Sequence, residues 1–390
     1  MSIHSAPKIL IIRRDNIGDL VCTTPLIAAL RRRFPEAWLG ALVNSYNAPV
    51  LDGNPDLDEV LVYTKAKHRG QGESLPGILW RRLLLMQRLR RMQLDDVIIA
   101  TTSPQPRVVA LARWLRPKRI IGFGEFKGLD VALPLDNAGR HEVEDVFRVA
   151  AIYGIDGPPP ACRVFAPVAV PPAPTLTIGI HISARKASQR WPAEHFADTI
   201  KAIAAQGPVR FMLLWSPGAE DNPLHPGDDA KAQDLLKKVG AHATVIARPT
   251  QTLPELIAAL AECDALICAD GGAMHLGAGL GLPIVCLFGN SGAARWRPWG
   301  VPYRLLQKPS LDVLDIPIDE VISAFNELSE ILWQSHPSHL PPSGHHDDRP
   351  DQELAALTRQ TPAATRQGRP GTEPLDASEM TTGIWPGRDK

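Results

Sequence analysis

Residues 265–288 read ALICADGGAMHLGAGLGLPIVCLF. The apolar run 265–268 suits a short buried strand, 273–280 is a helix of small residues, and 284–288 is a second buried strand. Strand, glycine turn, helix and strand in succession make one βαβ unit of a parallel sheet. The turn Asp270-Gly271-Gly272 opens the helix, so the backbone amides of Gly271, Gly272 and Ala273 meet the positive end of the helix dipole. That geometry suits a phosphate. No G-x-G-x-x-G stands between strand and helix start, so the dinucleotide fingerprint is absent. A plain helix cap with small residues for close packing accounts for the same glycines equally well.

Outward from this unit the alternation continues through the chain. Strands are expected at 8–13, 38–43, 58–63, 96–100 and 119–122, and helices at 22–33, 75–93, 105–115 and 142–153. In the second half, strands are expected at 175–182, 209–215 and 244–246, and helices at 192–205, 229–239, 253–262 and 318–333. The fold class is therefore α/β, with two parallel-sheet domains, 1–156 and 175–334. Between them 157–174 reads GPPPACRVFAPVAVPPAP, an extended proline-rich linker. The last 56 residues, 335–390, hold eight prolines and only five Leu, Ile, Val or Phe. So little apolar surface cannot offset chain entropy, and disorder is expected from 336 onward.

Composition excludes several classes. Lys+Arg and Asp+Glu are both 42 in a chain of 390 residues, so a nucleic-acid partner is not expected. Five cysteines without a C-x-x-C suit a reducing compartment and offer no zinc framework. The apolar run near the start is too short for a signal-peptide core, and no run approaches the ~18 residues of a membrane span. The expected location is cytoplasmic, at most peripheral at a membrane surface.

In parallel α/β sheets ligands bind beyond the carboxyl ends of strands, so the loops there carry the candidate chemistry. After the first strand comes Arg14-Asp15-Asn16-Ile17-Gly18-Asp19. Gly18 permits a tight turn. Asp19 is either a helix-capping carboxylate or a general base facing the cleft. The loop 183–190 carries Arg185, Lys186 and Arg190, cations able to hold a diphosphate, or a solvated basic face. The segment 287–299, with Arg295, Trp296 and Trp299, either walls a bound base or sugar or packs aromatics on the sheet. His141-Glu142-Val143-Glu144-Asp145 fails the H-E-x-x-H pattern, and no P-loop lysine or G-x-S-x-G elbow is present. The helix over 79–92 carries five arginines, which suits an anionic lipid or phosphorylated acceptor, or simply a solvated face over a Leu-rich core stripe.

KILIIRRDNIGDLVCTTPLIAALRRRFP, ISARKASQRWPAEHFA and ADGGAMHLGAGLGLPIVCLFGNSGAARWRPWG together resemble glycosyltransferase family 9, the bacterial heptosyltransferases of lipopolysaccharide core synthesis. The resemblance covers about 8–333. It implies a GT-B fold, two Rossmann-like domains facing across a cleft, with the last helix returning to the first domain. It implies metal-independent, inverting transfer from a nucleotide-diphosphate sugar, usually ADP-heptose, to a saccharide or lipid-linked saccharide, with peripheral contact at the inner membrane. No cofactor is implied. Asp19 would be the base. Gly271, Gly272, Ala273, Arg185, Lys186 and Arg190 would hold the donor phosphates. Asp270, His275, Asp228 and Asp229 would face the donor sugar or ribose. Family members often carry Lys where this chain has Gln189, so one of the three loop cations stands in. Competing readings are a transferase using a UDP- or GDP-sugar, an epimerase on the same scaffold, and a sugar-nucleotide-binding protein without catalysis.

Overall fold

A computed structural model describes residues 6–63, 75–103, 105–135, 138–167, 175–221 and 227–335. The first lobe runs β1 (Lys8–Ile12), α1 (Ile17–Val21), α2 (Thr24–Arg33), β2 (Trp38–Asn44), β3 (Glu59–Tyr63), α3 (Leu75–Arg91), β4 (Asp96–Ile99), α4 (Pro106–Leu115), β5 (Arg119–Phe123), β6 (Val131–Leu133) and α5 (Glu142–Phe147). The second runs β7 (Leu176–His181), α6 (Ala193–Ala204), β8 (Val209–Trp215), α7 (Asp229–Val239), β9 (Thr244–Pro249), α8 (Leu253–Ala261), β10 (Ala265–Ala269), α9 (Gly272–Gly279), β11 (Ile284–Phe288), α10 (Ala293–Trp296), β12 (Tyr303–Gln307) and α11 (Ile318–Ser335).

Each lobe holds one six-stranded sheet, in the orders β3-β2-β1-β4-β5-β6 and β12-β11-β10-β7-β8-β9. All pairings are parallel. Counted within each lobe, both orders are 3-2-1-4-5-6, so the two halves share one topology. The GT-B expectation of paired Rossmann-like sheets is met. The central strands are buried on both faces, which is why 9–12 (ILII) and 265–269 (ALICA) read as unbroken apolar runs. Each strand order reverses between its first and fourth strands, β1/β4 and β7/β10. A crevice opens there beyond the strand ends. The described loops at those two crevices are 13–16, 100–103, 182–190 and 270–271.

Small residues let α9 lie low over its sheet. A Cβ on Gly277 would stand 2.7 Å from Leu266 Cδ2, and one on Gly279 2.5 Å from Val164 Cγ2. Val164 belongs to the expected linker, and its described part is no loose spacer. Cys162 and Val164 are buried. The Arg163 amide donates to Thr24 Oγ1 of the first lobe (3.0 Å), and the Val164 amide to the Gly279 carbonyl of the second (2.7 Å). Residues 168–174 and the expected disordered tail, 336–390, lie outside the described residues.

Several expectations need correction. The helix expected over 22–33 begins at Thr24, with Pro25 in its first turn, and an unanticipated helix, α1, precedes it. The helix over 142–153 relaxes to a 3₁₀ turn after Phe147. Strands β6 and β12 and the short α10 were not anticipated. Both strands are half-exposed sheet edges and lack a buried apolar run. The final helix does not return to the first domain: Val321, Ala324, Phe325 and Leu328 of α11 bury in the second lobe's core, against α6, β11 and β12. Its apolar stripe is satisfied there. A separate continuous core joins the lobes, running from Ile27 and Leu30 to Leu260 and Met274.

Candidate functional site

Both crevices meet where α1 packs on α9. Gly18 is not a turn glycine, contrary to expectation. It lies inside α1 without positive φ, and a Cβ there would stand 2.4 Å from His275 Cδ2. Its missing side chain makes room for the imidazole, so the glycine serves close approach of two helices. One residue earlier, Ile17 packs on the start of α9, where a Cβ on Gly272 would meet Ile17 Cβ at 3.5 Å. The helix carrying Asp19 and the helix opened by the glycine turn are therefore direct neighbours.

Asp19 combines both readings offered for it. It is the third residue of a capping box with Asn16, whose amide and side-chain nitrogens donate to Asp19 Oδ2 at 3.3 and 3.0 Å. Its Oδ1 accepts from Arg13 Nη2 at 2.6 Å, and the side chain keeps 14% exposure. Arg13 was not singled out from sequence, yet it organises the crevice. It is 1% exposed and donates to the Ala100 carbonyl, to Asp19 and to Glu142 Oε1 (2.7 Å), with Asp15 Oδ2 3.2 Å from its Nε. Burial opposes the guanidinium charge, but Asp19, Glu142 and Asp15 outweigh it and hold the pKa above its ordinary value. The signal was present: a cation directly follows the apolar run 9–12, with carboxylates two and six residues later.

Glu142, 1% exposed, is also gripped by Arg295 Nη2 from the second lobe. Arg295 further reaches Thr102 Oγ1 (2.9 Å) and Asp145 Oδ2 (3.3 Å). The aromatics beside it close the same seam. Trp296 meets His275 edge-on at 6.0 Å, and Trp299 packs on His141 at 4.7 Å. The segment 293–299 thus joins the lobes. His141 Nδ1 accepts from the Val143 amide at 3.0 Å, so Nε2 carries the proton and donates to the Arg297 carbonyl at 2.8 Å.

On the donor side, Asp270 Oδ2 accepts from Gln189 Nε2 at 2.9 Å, and the same amide reaches Ser291 Oγ at 2.8 Å. Arg185 and Lys186 are exposed on this loop. Lys186 Nζ lies 3.4 Å from Asn290 Oδ1. Across from this loop, burial and then Asp19 and Asp15 push the Tyr46 hydroxyl pKa up. Arg190, expected on the phosphates, pairs with buried Asp228 (2.7 Å) and donates to the Ala184 carbonyl (3.2 Å). Three residues expected at the donor sugar or ribose have protein partners here. Asp228 is enclosed in that ion pair, its pKa raised by burial. Asp229 accepts from Trp215 Nε1 (2.7 Å) and the Gly218 amide (2.9 Å), which fixes the start of α7. His275 is buried in the α1–α9 contact, its Nδ1 3.9 Å from Cys22 Sγ. Sequence reasoning also missed Lys231, which donates to the Ile182 carbonyl at 3.0 Å. Burial brings its pKa down to about 8. A lysine in a helix's first turn opposes the dipole, and that anomaly marked it.

Burial holds His141 at about 3 and His181 at about 4. Both are neutral in the fold, while the unfolded chain protonates them near ~6.5. Their stabilisation is complete above about pH 6.5 and is lost as pH falls toward those values, because the unfolded state then binds more protons. His275, with a raised pKa, acts oppositely, above pH ~6.5. The urea midpoint should therefore fall from about pH 6.5 to 5, above the main carboxylate range. A flat midpoint there would contradict neutral burial. Among the described residues no three His, Cys, Asp or Glu side chains cluster to hold a metal ion.

The chain is similar in sequence and fold to known proteins. The model of glycosyltransferase family 9 (heptosyltransferase) matches residues 82–310. A lipopolysaccharide heptosyltransferase 3 of Escherichia coli is 25% identical over 301 residues, 72% of this chain and 83% of that protein. The family 9 glycosyl transferase of Veillonella parvula superposes with a TM-score of 0.68 at 22% identity, covering 85% of this chain and all of the other (100%). The E. coli heptosyltransferase WaaC with ADP-2-deoxy-2-fluoro heptose gives a TM-score of 0.66 at 19% identity, over 83% and 99% of the two chains.

Proposed function

The chain belongs to glycosyltransferase family 9, and from that membership we propose that it moves a heptose from ADP-heptose to a saccharide of the lipopolysaccharide-core type, with inversion and without a metal. The observation that carries this reading is the contact of α1 on α9. That contact makes α1, the helix that carries Asp19, a direct neighbour of the amide-rich helix start at Gly271 and Gly272. Inversion needs one displacement, with a base on the acceptor side and charge stabilisation on the leaving side. Asp19 takes the proton of the acceptor hydroxyl as its oxygen attacks the anomeric carbon. Arg13 and Asn16 fix the carboxylate's direction.

The bond to the diphosphate breaks on the opposite face. The growing negative charge meets the amides of Gly271, Gly272 and Ala273 and the exposed cations Arg185 and Lys186. Asp270, held by Gln189, is placed to accept from donor-sugar hydroxyls. Lys231 and the Arg190–Asp228 pair stiffen the loops around this cradle. The test is ADP release from ADP-heptose on adding core oligosaccharide, with EDTA present, against UDP- and GDP-sugars as parallel donors. Release only from ADP-heptose, unaffected by EDTA, is expected. Preference for a UDP- or GDP-sugar, or no turnover until a divalent metal is supplied, would overturn the donor or the metal-free part of the proposal.

A further inference from the structure

Helix α3 is apolar on two sides. Ile78, Met86 and Leu89 are buried in the first lobe's core. On the outside, Leu79, Trp80, Leu83 and Leu84 are 57, 61, 41 and 47% exposed. Their spacing of three and four residues joins them into one stripe along the helix. An ordinary surface helix shows water a polar face, so the solvated face considered from sequence is not what the structure presents. Trp114 of the neighbouring α4, 40% exposed, extends the patch, with the Arg90 guanidinium 5.0 Å from its ring centre.

The two helices that carry this stripe are basic. Helix α3 carries five arginines and α4 two, and neither holds an Asp or Glu. Arg88 spends its fork on Glu59 of β3, at 2.6 and 2.8 Å. Beside the stripe, Val62, Ile78, Arg81 and Arg82 line a hollow of about 210 Å³. Exposed Trp and Leu on a helix whose own charges are all arginines is the chemistry of a helix lying in an anionic lipid interface, where rings and aliphatics enter the acyl boundary and guanidinium groups meet phosphates. Among the described residues no helix is long and apolar enough to cross a membrane, so contact here would be lateral.

The patch also faces the right way. Helix α3 follows β3 in a parallel sheet, so its N-terminal half begins at the edge where the strands end. Tyr63 closes β3 and is stacked between Arg82 (4.4 Å) and Arg14 (3.9 Å), which adjoins Asp15 in the Asp19 loop. We propose that the outward face of α3, extended by Trp114, docks on an anionic phospholipid bilayer. The proposal rests on this surface and not on which sugar is moved. For the proposed reaction it means that a lipid-linked acceptor is met at the membrane, beside the acceptor crevice.

Flotation of the full chain with phosphatidylcholine vesicles, with and without about 30 mol % phosphatidylglycerol, tests this. Binding is expected with the anionic lipid, weaker on neutral vesicles and weakened by salt. The double variant W80S/L84S should lose about tenfold or more in partitioning, with an unchanged unfolding midpoint because both side chains already face outward. Three results would overturn the proposal: no binding to anionic vesicles, equal binding by the double variant, or a concentration-dependent dimer that the double variant abolishes, which would assign the face to a second copy. Vesicle binding is read without turnover, so failure of the glycosyl-transfer reading would leave it standing, and the reverse.

Discussion

Replacing Asp19 by Asn should lower kcat by about 10²–10⁴, the usual range for a positioned general base, while donor affinity barely changes. The split is expected because Asp19 belongs to the first lobe, on α1, whereas the amides and cations proposed for the diphosphate belong to the second lobe. The fold should survive, since Arg13 keeps Glu142 and Asp15 and an Asn oxygen can still accept from Asn16. Single-turnover rates at saturating donor, beside a calorimetric ADP titration, separate the two effects. A variant with near-wild-type turnover, chemistry being rate-limiting, would remove Asp19 from the mechanism. A large loss of ADP affinity would instead make it a donor ligand.

Replacing Arg13 by Met should destabilise the protein by about 3–5 kcal/mol, the range for removing one partner of a buried ion pair. Three carboxylates converge on this guanidinium, and two of them, Asp15 and Asp19, keep only 19% and 14% exposure. Glu142 retains Arg295, so the first lobe's crevice should suffer more than the seam between lobes. Arg13→Lys keeps a charge but not the fork that reaches Asp19, Glu142 and the Ala100 carbonyl together, and should recover only part of the loss. Urea unfolding measures both. A midpoint for Arg13→Met within error of the wild type would show that the network contributes nothing net.

Much of the fold was legible because it is written locally. Parallel strands buried on both faces must be short apolar runs, and β1, β4, β7, β10 and β11 could not be read otherwise. The helix opened by Gly271 and Gly272, the basic loop at 185–190 and the Asp19 loop were each visible as segments following a strand. What those segments touch was not visible. Arg13 and Glu142 are 129 positions apart, and Glu142 and Arg295 are 153 apart. No local pattern marks such a pair, and Glu142 drew notice only within a motif that failed.

The sequence alone determined that there are two α/β lobes and that the chemistry-bearing loops sit at strand ends, because alternation and glycine placement are short-range constraints on backbone and burial. The packing of one lobe on the other decided the rest. It turned Gly18 from a turn residue into the notch for His275 and committed Arg190 and Asp228 to each other. It spent Arg295, Trp296 and Trp299 on the seam and kept α11 on its own lobe. Each of these depends on which distant side chain fills a given space or meets a given charge, and close packing fixes that only when the whole chain is assembled.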